Sequence, residues 1–473
     1  MQNNTVPIPI SNMVTHVDPH LDEIETIRRF QRGHGEKQLP GSTVAAMNVR
    51  FTEGMWVVSS DTYFDSIRML PIGCVPGTRF NDKSRDGKRI PGHCTCTIVS
   101  SHLGLNDPIL KRIAEEVLRC DSEPGVKSTE LAELVKMGHR RVSNNASVLK
   151  WAIALLDAVN VQLAFAYVPA PGNHSLMTIF GQFVNEDRFP DDQARPRLCE
   201  LVKGSMDRKD RITELSFIAD CLIRANHPDT LDLVGFALDH LYNDIIEYRN
   251  AIKECRKSHD RITVEMFRAD QNRVIDLRVL FVKSDHPSII RASKHQDAGA
   301  AGLLIKRNSA GQVGVFADKN RQGLHIDDLV AMIRWTELPK DQLDRPLVGG
   351  AMGIPADLEP AKLWDWLKSD GALEQVPHWY YARGAGHFMN GSLTHPNEPA
   401  TEIASQFFID MTHCAFVPEK VREWKRRRGI PLDGGCPPKP KHNQPQRPED
   451  SAAHQTAVRI LEEVEANSSP AGK

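Results

Sequence analysis

The chain has 473 residues and a formal net charge of −2 at pH 7, with 40% hydrophobic and 25% charged residues. This length exceeds what one hydrophobic core usually supports, so we expect two or three domains. The nearly balanced charge argues against a protein whose whole surface binds nucleic acid. No apolar run is long enough for a membrane span, the first residues lack a secretory signal, and the 9 scattered cysteines indicate reduced thiols. We therefore expect a cytoplasmic protein.

Residues 1–127 have alternating strand and helix patterns, which are typical of an α/β domain with a mostly parallel sheet. The patterns predict strands at 8–15, 45–51 and 55–60 and helices at 21–32 and 107–119. Ligands of such sheets bind beyond the carboxyl ends of the strands, and His16 and Asp61 fall at two of these ends.

Residues 128–261 predict a helical middle segment, which is either an insert or a second domain and a candidate homodimer interface. Its predicted elements are helices at 128–137, 146–167, 210–225 and 230–256, with a loop at 168–196.

Residues 262–418 predict a smaller α/β or α+β domain that binds substrate. Its predicted elements are strands at 262–267, 275–283, 288–292, 301–306 and 313–316, a hairpin turn at 308–311, and helices at 324–335 and 360–367. The remainder, 419–473, is a basic, Pro-rich tail whose segment 429–450 is expected to lack fixed structure, with a short terminal helix at 456–466.

A dense group of potential metal ligands follows the first predicted strand. His16, Asp18, His20 and Asp22 lie within seven residues, and imidazole with carboxylate at this spacing suits a divalent cation. The alternative is a polar turn followed by a helix N-terminus, where acidic residues are favoured by the helix dipole. Further acids occur at later strand ends and loops: Asp61, Asp65, Asp82 and Asp121. Carboxylates on several loops typically bind Mg²⁺ or Mn²⁺, and added histidines shift the preference toward Mn²⁺.

These segments resemble the DHH phosphoesterase superfamily, and are most similar to the branch typified by the melanocyte-proliferating-gene exonucleases. The matching blocks are Thr15-His16 with His20-Leu21-Asp22-Glu23, Ser60-Asp61 with Asp65, Gly77 to Lys83, Cys94 to Leu105, and Leu118 to Asp121. The resemblance implies a manganese-dependent phosphoesterase that holds one or two Mn²⁺ or Mg²⁺ ions. It implies catalytic roles for His16, Asp22, Asp61 and Asp121, with metal ligands drawn from His16, Asp18, His20, Asp22, Asp61, Asp82, His93 and Asp121.

The third block departs from the family pattern, because Asn81-Asp82-Lys83 stands where the family has Asp-His-His. Three alternatives remain open at this point. Asp82 could be a shifted ligand, His93 could supply the imidazole from a neighbouring loop, or the second metal position has been lost.

Two further motifs are candidate phosphate-binding segments. The first is the basic loop that contains Arg79, Lys83, Arg85, Lys88 and Arg89, whose alternative role is solvated surface charge. The second is a Gly-rich segment similar to the Gly-Gly-His segment of DHH enzymes, whose alternative is an ordinary tight turn. Its candidate substrate-binding residues are Arg383, Gly386, His387, Asn390 and Ser392.

The sequence therefore predicts a metal-dependent phosphoesterase acting on a nucleotide or a short nucleic acid through metal-activated water. The departure at 81–83 leaves open a nucleotide-binding or regulatory protein that has lost catalysis. Hydrolysis of something other than a phosphate ester also stays open, because a fold does not dictate a reaction.

Overall fold

The computed structural model describes residues 9–52, 60–84, 89–166, 175–185, 187–208, 210–258, 260–318, 320–321, 323–338, 358–391, 398–430 and 432. Within these ranges the chain is an α/β protein with a small parallel sheet near the N-terminus, a larger mixed sheet and many helices.

The first sheet has three parallel strands in the order β2-β1-β3, formed by β1 (Asn12–His16), β2 (Val49–Thr52) and β3 (Met69–Ile72). The central strand is buried along Met13, Val14 and Thr15, which explains its apolar and β-branched composition. Because the strands are parallel, the chain leaves β1 and β3 at the same edge of the sheet, and this edge carries the candidate site.

The helices that follow begin with α1 (Leu21–Gln31), which connects β1 to the rest of the fold. Its apolar side chains Ile24, Ile27 and Phe30 are fully buried at three-residue spacing. The other helices of this half are α2 (Ser42–Met47), α3 (Asp61–Ser66), α4 (Thr95–His102), α5 (Pro108–Ser122), α6 (Leu131–Arg141), α7 (Asn145–Ala164), α8 (Ser175–Asn185), α9 (Ala194–Met206), α10 (Leu215–Arg224) and α11 (Thr230–Lys257).

One hydrophobic core runs through both the small sheet and the helical segment, from Ile10 to Tyr242. The helix α7 is long and apolar enough to cross a membrane, and 61% of its apolar window is buried inside the protein. Its buried side chains belong to that shared core.

The larger sheet has seven strands in the order β4-β5-β6-β7-β10-β9-β8, and among its pairs only β5 with β6 is parallel. Its strands are β4 (Arg261–Arg268), β5 (Arg273–Lys283), β6 (Leu303–Arg307), β7 (Val313–Ala317), β8 (Gly371–Leu373), β9 (Val376–Ala382) and β10 (His387–Asn390). The helices of this half are α12 (Ile289–Ser293), α13 (Asp327–Glu337), α14 (Leu363–Leu367), α15 (Ser405–Ala415) and α16 (Pro418–Arg427). A second core lies between the sheet and α13, α14, α15 and α16.

Three sequence predictions of secondary structure are wrong. The strand predicted at 45–51 is replaced by α2 and the shorter β2, because Gly41 at φ +81° turns the chain and two alanines continue the helix. The strand predicted at 288–292 is α12, whose Ile289 and Ala292 are buried against Ala251 and Cys255 of α11. The loop predicted at 168–196 contains α8, whose buried side chains recur at helical spacing.

Several other predictions lie outside the described residues. They are most of the strand predicted at 55–60, nearly all of the tail segment 429–450, and the terminal helix at 456–466.

Candidate metal centre

The site begins where β1 ends and α1 starts. His16 closes β1, and its Nε2 lies 3.1 Å from Glu23 Oε1. The other oxygen, Glu23 Oε2, accepts the backbone N–H of His20 at 2.6 Å, which satisfies a free donor at the helix N-terminus. Gly73 directly follows β3 at φ +67°, and a Cβ there would come within 2.4 Å of Glu23 Oε1. Glycine therefore allows the Glu23 side chain of α1 to pack against the end of β3.

Asp22 lies in the first turn of α1 and is the centre of the cluster. It is 3% exposed, and its Oδ2 accepts the N–H of Thr95 at 3.1 Å, at the N-terminus of α4. Ligand atoms of Asp22, Cys94 and Asp121 all lie within 4.8 Å of one another, and we call these three residues the inner triad. Asp22 also forms an outer triad with His20 and Glu23, whose ligand atoms likewise lie within 4.8 Å of one another.

Three helices position the inner triad, and a buried ion-pair network holds them together. Arg29 of α1 donates its Nε to Glu25 at 2.8 Å, and Nη2 to the carbonyl of Leu110 in α5 at 2.9 Å. It also contacts Ser100 and the carbonyl of Cys96 in α4. Arg29 therefore links the three helices that carry the inner triad: Asp22 on α1, Cys94 at the start of α4 and Asp121 on α5.

The electrostatics of the cluster favour an additional positive charge. Burial, together with the charges of Glu23 and Asp121, raises the pKa of Asp22 well above its usual value. Burial also raises the pKa of Asp121, although the nearby charge of Arg89 opposes this shift. Burial would raise the pKa of Glu23 as well, but the hydrogen bond and charge of His16 lower it to about 2. A cation bound among these carboxylates would relieve their repulsion.

Cys94 adds a sulfur ligand to this set. Its Sγ lies 3.4 Å from Cys96 Sγ, and this hydrogen bond lowers the pKa of the Cys94 thiol. A thiol whose pKa is lowered forms the thiolate more readily, which is the metal-binding form. Imidazole and thiolate beside carboxylates suit a transition metal better than Mg²⁺.

Buried polar atoms without a hydrogen-bond partner occur on the segments that form the site. They are the hydroxyl oxygens of Thr15, at the end of β1, and Thr95, at the start of α4, and the Nδ2 of Asn81. Thr15 and Thr95 are fully buried and Asn81 is 2% exposed. Buried polar groups usually have a partner, so these three atoms are available to water or to a ligand.

A cation supplied by the protein itself also lies at this edge. Arg89 Nε donates to Asp82 Oδ2 at 2.9 Å, and its Nη2 donates to Asp121 Oδ2. The backbones of Lys83 and Arg89 pair in an antiparallel bridge. Burial lowers the pKa of the His16 imidazole, but the hydrogen bond and charge of Glu23 leave it raised, and the charge of Lys83 opposes this rise.

The structure brings only part of the predicted ligand set together. Asp61 is the first residue of α3, and its Oδ1 accepts the backbone N–H of Arg79 at 3.0 Å and Arg79 Nε at 3.2 Å. Asp18 is exposed near His139, and His93 is exposed just before α4. Five predicted ligands belong to no group of three close ligand atoms among the described residues: His16, Asp18, Asp61, Asp82 and His93.

The predicted substrate-binding residues of the Gly-rich segment lie around β10 in the larger sheet. Arg383 Nε pairs with Asp327 Oδ1 at 3.0 Å, and Gly386 has φ +64°. His387 packs edge-on against Phe316, with ring centroids 5.1 Å apart. Asn390 is fully buried, and its amide bonds to the backbone of His378, Pro399 and Thr401. Its contacts are thus those of a structural residue. Arg85 and Ser392 lie outside the described residues.

Sequence reasoning missed two members of the cluster, Glu23 and Cys94. Glu23 carried a signal, because an acid at the third helical position often closes a capping box. Cys94 carried little signal, because its neighbour Thr95 lies 73 positions from Asp22 in the sequence and only the fold brings them together.

Comparisons of the chain with protein-family models, curated proteins and solved structures find no match.

Proposed function

We propose that this protein is a metal-dependent phosphoesterase of the DHH type, which hydrolyses a phosphodiester or phosphate in a nucleotide or short nucleic acid. The observation that carries the proposal is the inner triad, in which Asp22 and Asp121 come together with Cys94 at the carboxyl edge of a parallel sheet. The resemblance assigned metal roles to both aspartates. The resemblance was identified from the sequence alone. The proximity of Asp22 and Asp121 in the fold therefore supports the proposal independently.

The donor set suits a divalent transition metal, with Mn²⁺ favoured over Mg²⁺. Carboxylates of Asp22 and Asp121 and the thiol of Cys94 would hold the ion, and His20 is an exposed imidazole at the rim. When bound, such an ion supplies a water of lowered pKa and a positive charge that polarises a phosphate. The three unpartnered polar atoms of Thr15, Asn81 and Thr95 are further groups able to hold water at the site.

The basic loop would orient the substrate. Lys83 is exposed and its charge acts on His16, so its ammonium group can bind a phosphate oxygen as a point charge. Arg79 presents a planar guanidinium on the neighbouring loop, although Asp61 and Asp65 hold it in the free protein. A substrate phosphate would therefore compete with the carboxylates of Asp61 and Asp65 for Arg79.

The test is hydrolysis of dinucleotides and short oligonucleotides by the purified protein with Mn²⁺ or Mg²⁺. We expect Mn²⁺-stimulated product release, and a loss on the order of 100-fold in Asp22→Asn and Asp121→Asn because each removes a charged ligand. The matched control is Asp232→Asn, which neutralises an exposed carboxylate in the first turn of α11. Wild-type activity in Asp121→Asn would contradict the proposal.

A second candidate function is nucleotide binding without catalysis. It is favoured by Asn81-Asp82-Lys83 in place of Asp-His-His, and by Arg89, which pairs with both Asp82 and Asp121. A thermal shift with nucleotide, but no product with any divalent metal, would support this candidate over the phosphoesterase.

A further inference from the structure

Arg89 holds two carboxylates of the candidate site at once. Its Nε lies 2.9 Å from Asp82 Oδ2, and its Nη2 bonds to Asp121 Oδ2. Its Nη1 also donates to the backbone carbonyl of Asp121 at 3.2 Å. The two carboxylates are 10% and 16% exposed, so this pairing is partly shielded from water. A guanidinium that joins two carboxylates occupies the position that a bridging divalent ion would take in a two-metal site.

The charge of the site supports one divalent ion in addition to this arginine. Four carboxylates converge here: Asp22, Glu23, Asp82 and Asp121. The charge of Arg89 acts on Asp22 as well as on its two direct partners, and the charge of Lys83 acts on His16. With both basic residues charged, the imidazoles neutral and the Cys94 thiolate formed, the four carboxylates and the thiolate leave a formal charge of about −3, which one divalent cation largely balances. A second divalent cation would leave excess positive charge.

The geometry also keeps the two positions separate. A carboxylate has two oxygens, so Asp121 can bind Arg89 with Oδ2 and an ion of the inner triad with Oδ1. In the outer triad, Glu23 already uses Oε1 for His16 and Oε2 for the N–H of His20. The inner triad is therefore the better position for a metal ion.

We infer that Arg89 takes the place of the second metal ion, so that the wild-type site binds one divalent cation and a second position opens only when Arg89 is removed. This inference rests on the proposed function. It goes further because it names Arg89 as the residue that compensates for the absence of the Asp-His-His motif.

The test counts Mn²⁺ ions by equilibrium dialysis and metal analysis in the wild type, Arg89→Ala and Arg89→Met. We expect both variants to bind one more Mn²⁺ per chain than the wild type, and their electron paramagnetic resonance spectra to show coupling between two Mn²⁺ ions. Arg89→Met keeps the aliphatic stem and provides a second variant if Arg89→Ala fails to fold. Arg89→Lys, which retains the charge, should bind the wild-type number.

The matched control is Arg188→Ala, which removes an arginine paired with Asp239 on another part of the surface. It should leave the Mn²⁺ count unchanged. Equal counts in wild type and in the folded Arg89 variants would overturn the inference. The wild-type count tests the proposed function separately: no Mn²⁺ in the wild type but one in Arg89→Ala would support the arginine's role and contradict the metal-dependent enzyme.

Discussion

Glu25 provides the most demanding test of how the site is supported. It accepts Arg28 Nε at 2.7 Å, Arg28 Nη2 at 3.0 Å and Arg29 Nε at 2.8 Å. The side chains of these three residues are 0%, 2% and 0% exposed, respectively. Glu25→Gln keeps the shape of the side chain but removes the charge that balances two buried guanidinium groups.

Removal of one partner from a buried ion pair typically costs about 3–5 kcal/mol. Arg28 still bonds to Asp157, and Arg29 still bonds to the carbonyls of Cys96 and Leu110. We therefore expect the free energy of unfolding to fall by about 3 kcal/mol, the lower end of this range. Burial would raise the pKa of Glu25, but the charges of Arg28 and Arg29 lower it below its ordinary value. Its stabilising effect is therefore present above about pH 4.3, the unfolded value, and lost at lower pH.

The assay is urea denaturation followed by circular dichroism, at pH 7 and at pH 4. The matched control is Glu133→Gln, whose carboxylate is 31% exposed and pairs with Lys136, and which should change the free energy by less than about 1 kcal/mol. Because α1, α4 and α5 all depend on Glu25 through Arg29, Glu25→Gln should also weaken Mn²⁺ binding. A change in stability as small as that of Glu133→Gln would refute the reasoning.

Three further predictions concern other parts of the fold. Burial and the charge of Arg141 lower the pKa of His240 to about 4. Its contribution to the free energy of unfolding is therefore complete above about pH 6.5 and is lost as the pH falls toward 4. His240→Phe should weaken this pH dependence in denaturation curves. Asn390→Ala should lower the free energy of unfolding by about 2–4 kcal/mol, since it leaves three backbone groups unpaired, and should leave nucleotide affinity of the folded protein unchanged in calorimetry. Trp379→Ala should cost about 3–5 kcal/mol in the same denaturation assay, because this fully buried ring stacks on Phe388 at 4.4 Å.

Helices and strands with a clear apolar period could be predicted from the sequence. The predicted helix at 230–256 corresponds to α11, and the predicted strand at 275–283 corresponds to β5. The prediction failed at 45–51 and 288–292, where short segments rich in Ala, Val and Ile fit either structure and tertiary packing decided for helix.

The candidate site could be predicted only where its residues are close in sequence. The turn from His16 to Glu23 was evident because strand, turn and helix follow one another directly. The partners of Asp22 and Asp121 were not evident, since Cys94 and Arg89 reach them through folding of a separate loop and helix. Asp61 was assigned as a ligand by resemblance, whereas its carboxylate pairs with Arg79, an interaction that depends on the path of the chain between them.

The central claim is that a divalent ion binds at the inner triad. Anomalous scattering from crystals soaked in Mn²⁺ tests it most directly, because it locates the ion without relying on activity. We predict a peak among Asp22, Cys94 and Asp121 that disappears in Asp121→Asn. Glu116, Cys120 and Glu130 form another group of close ligand atoms, but Arg119 pairs with both of its carboxylates. A peak at that group, with none at the inner triad, would contradict the account.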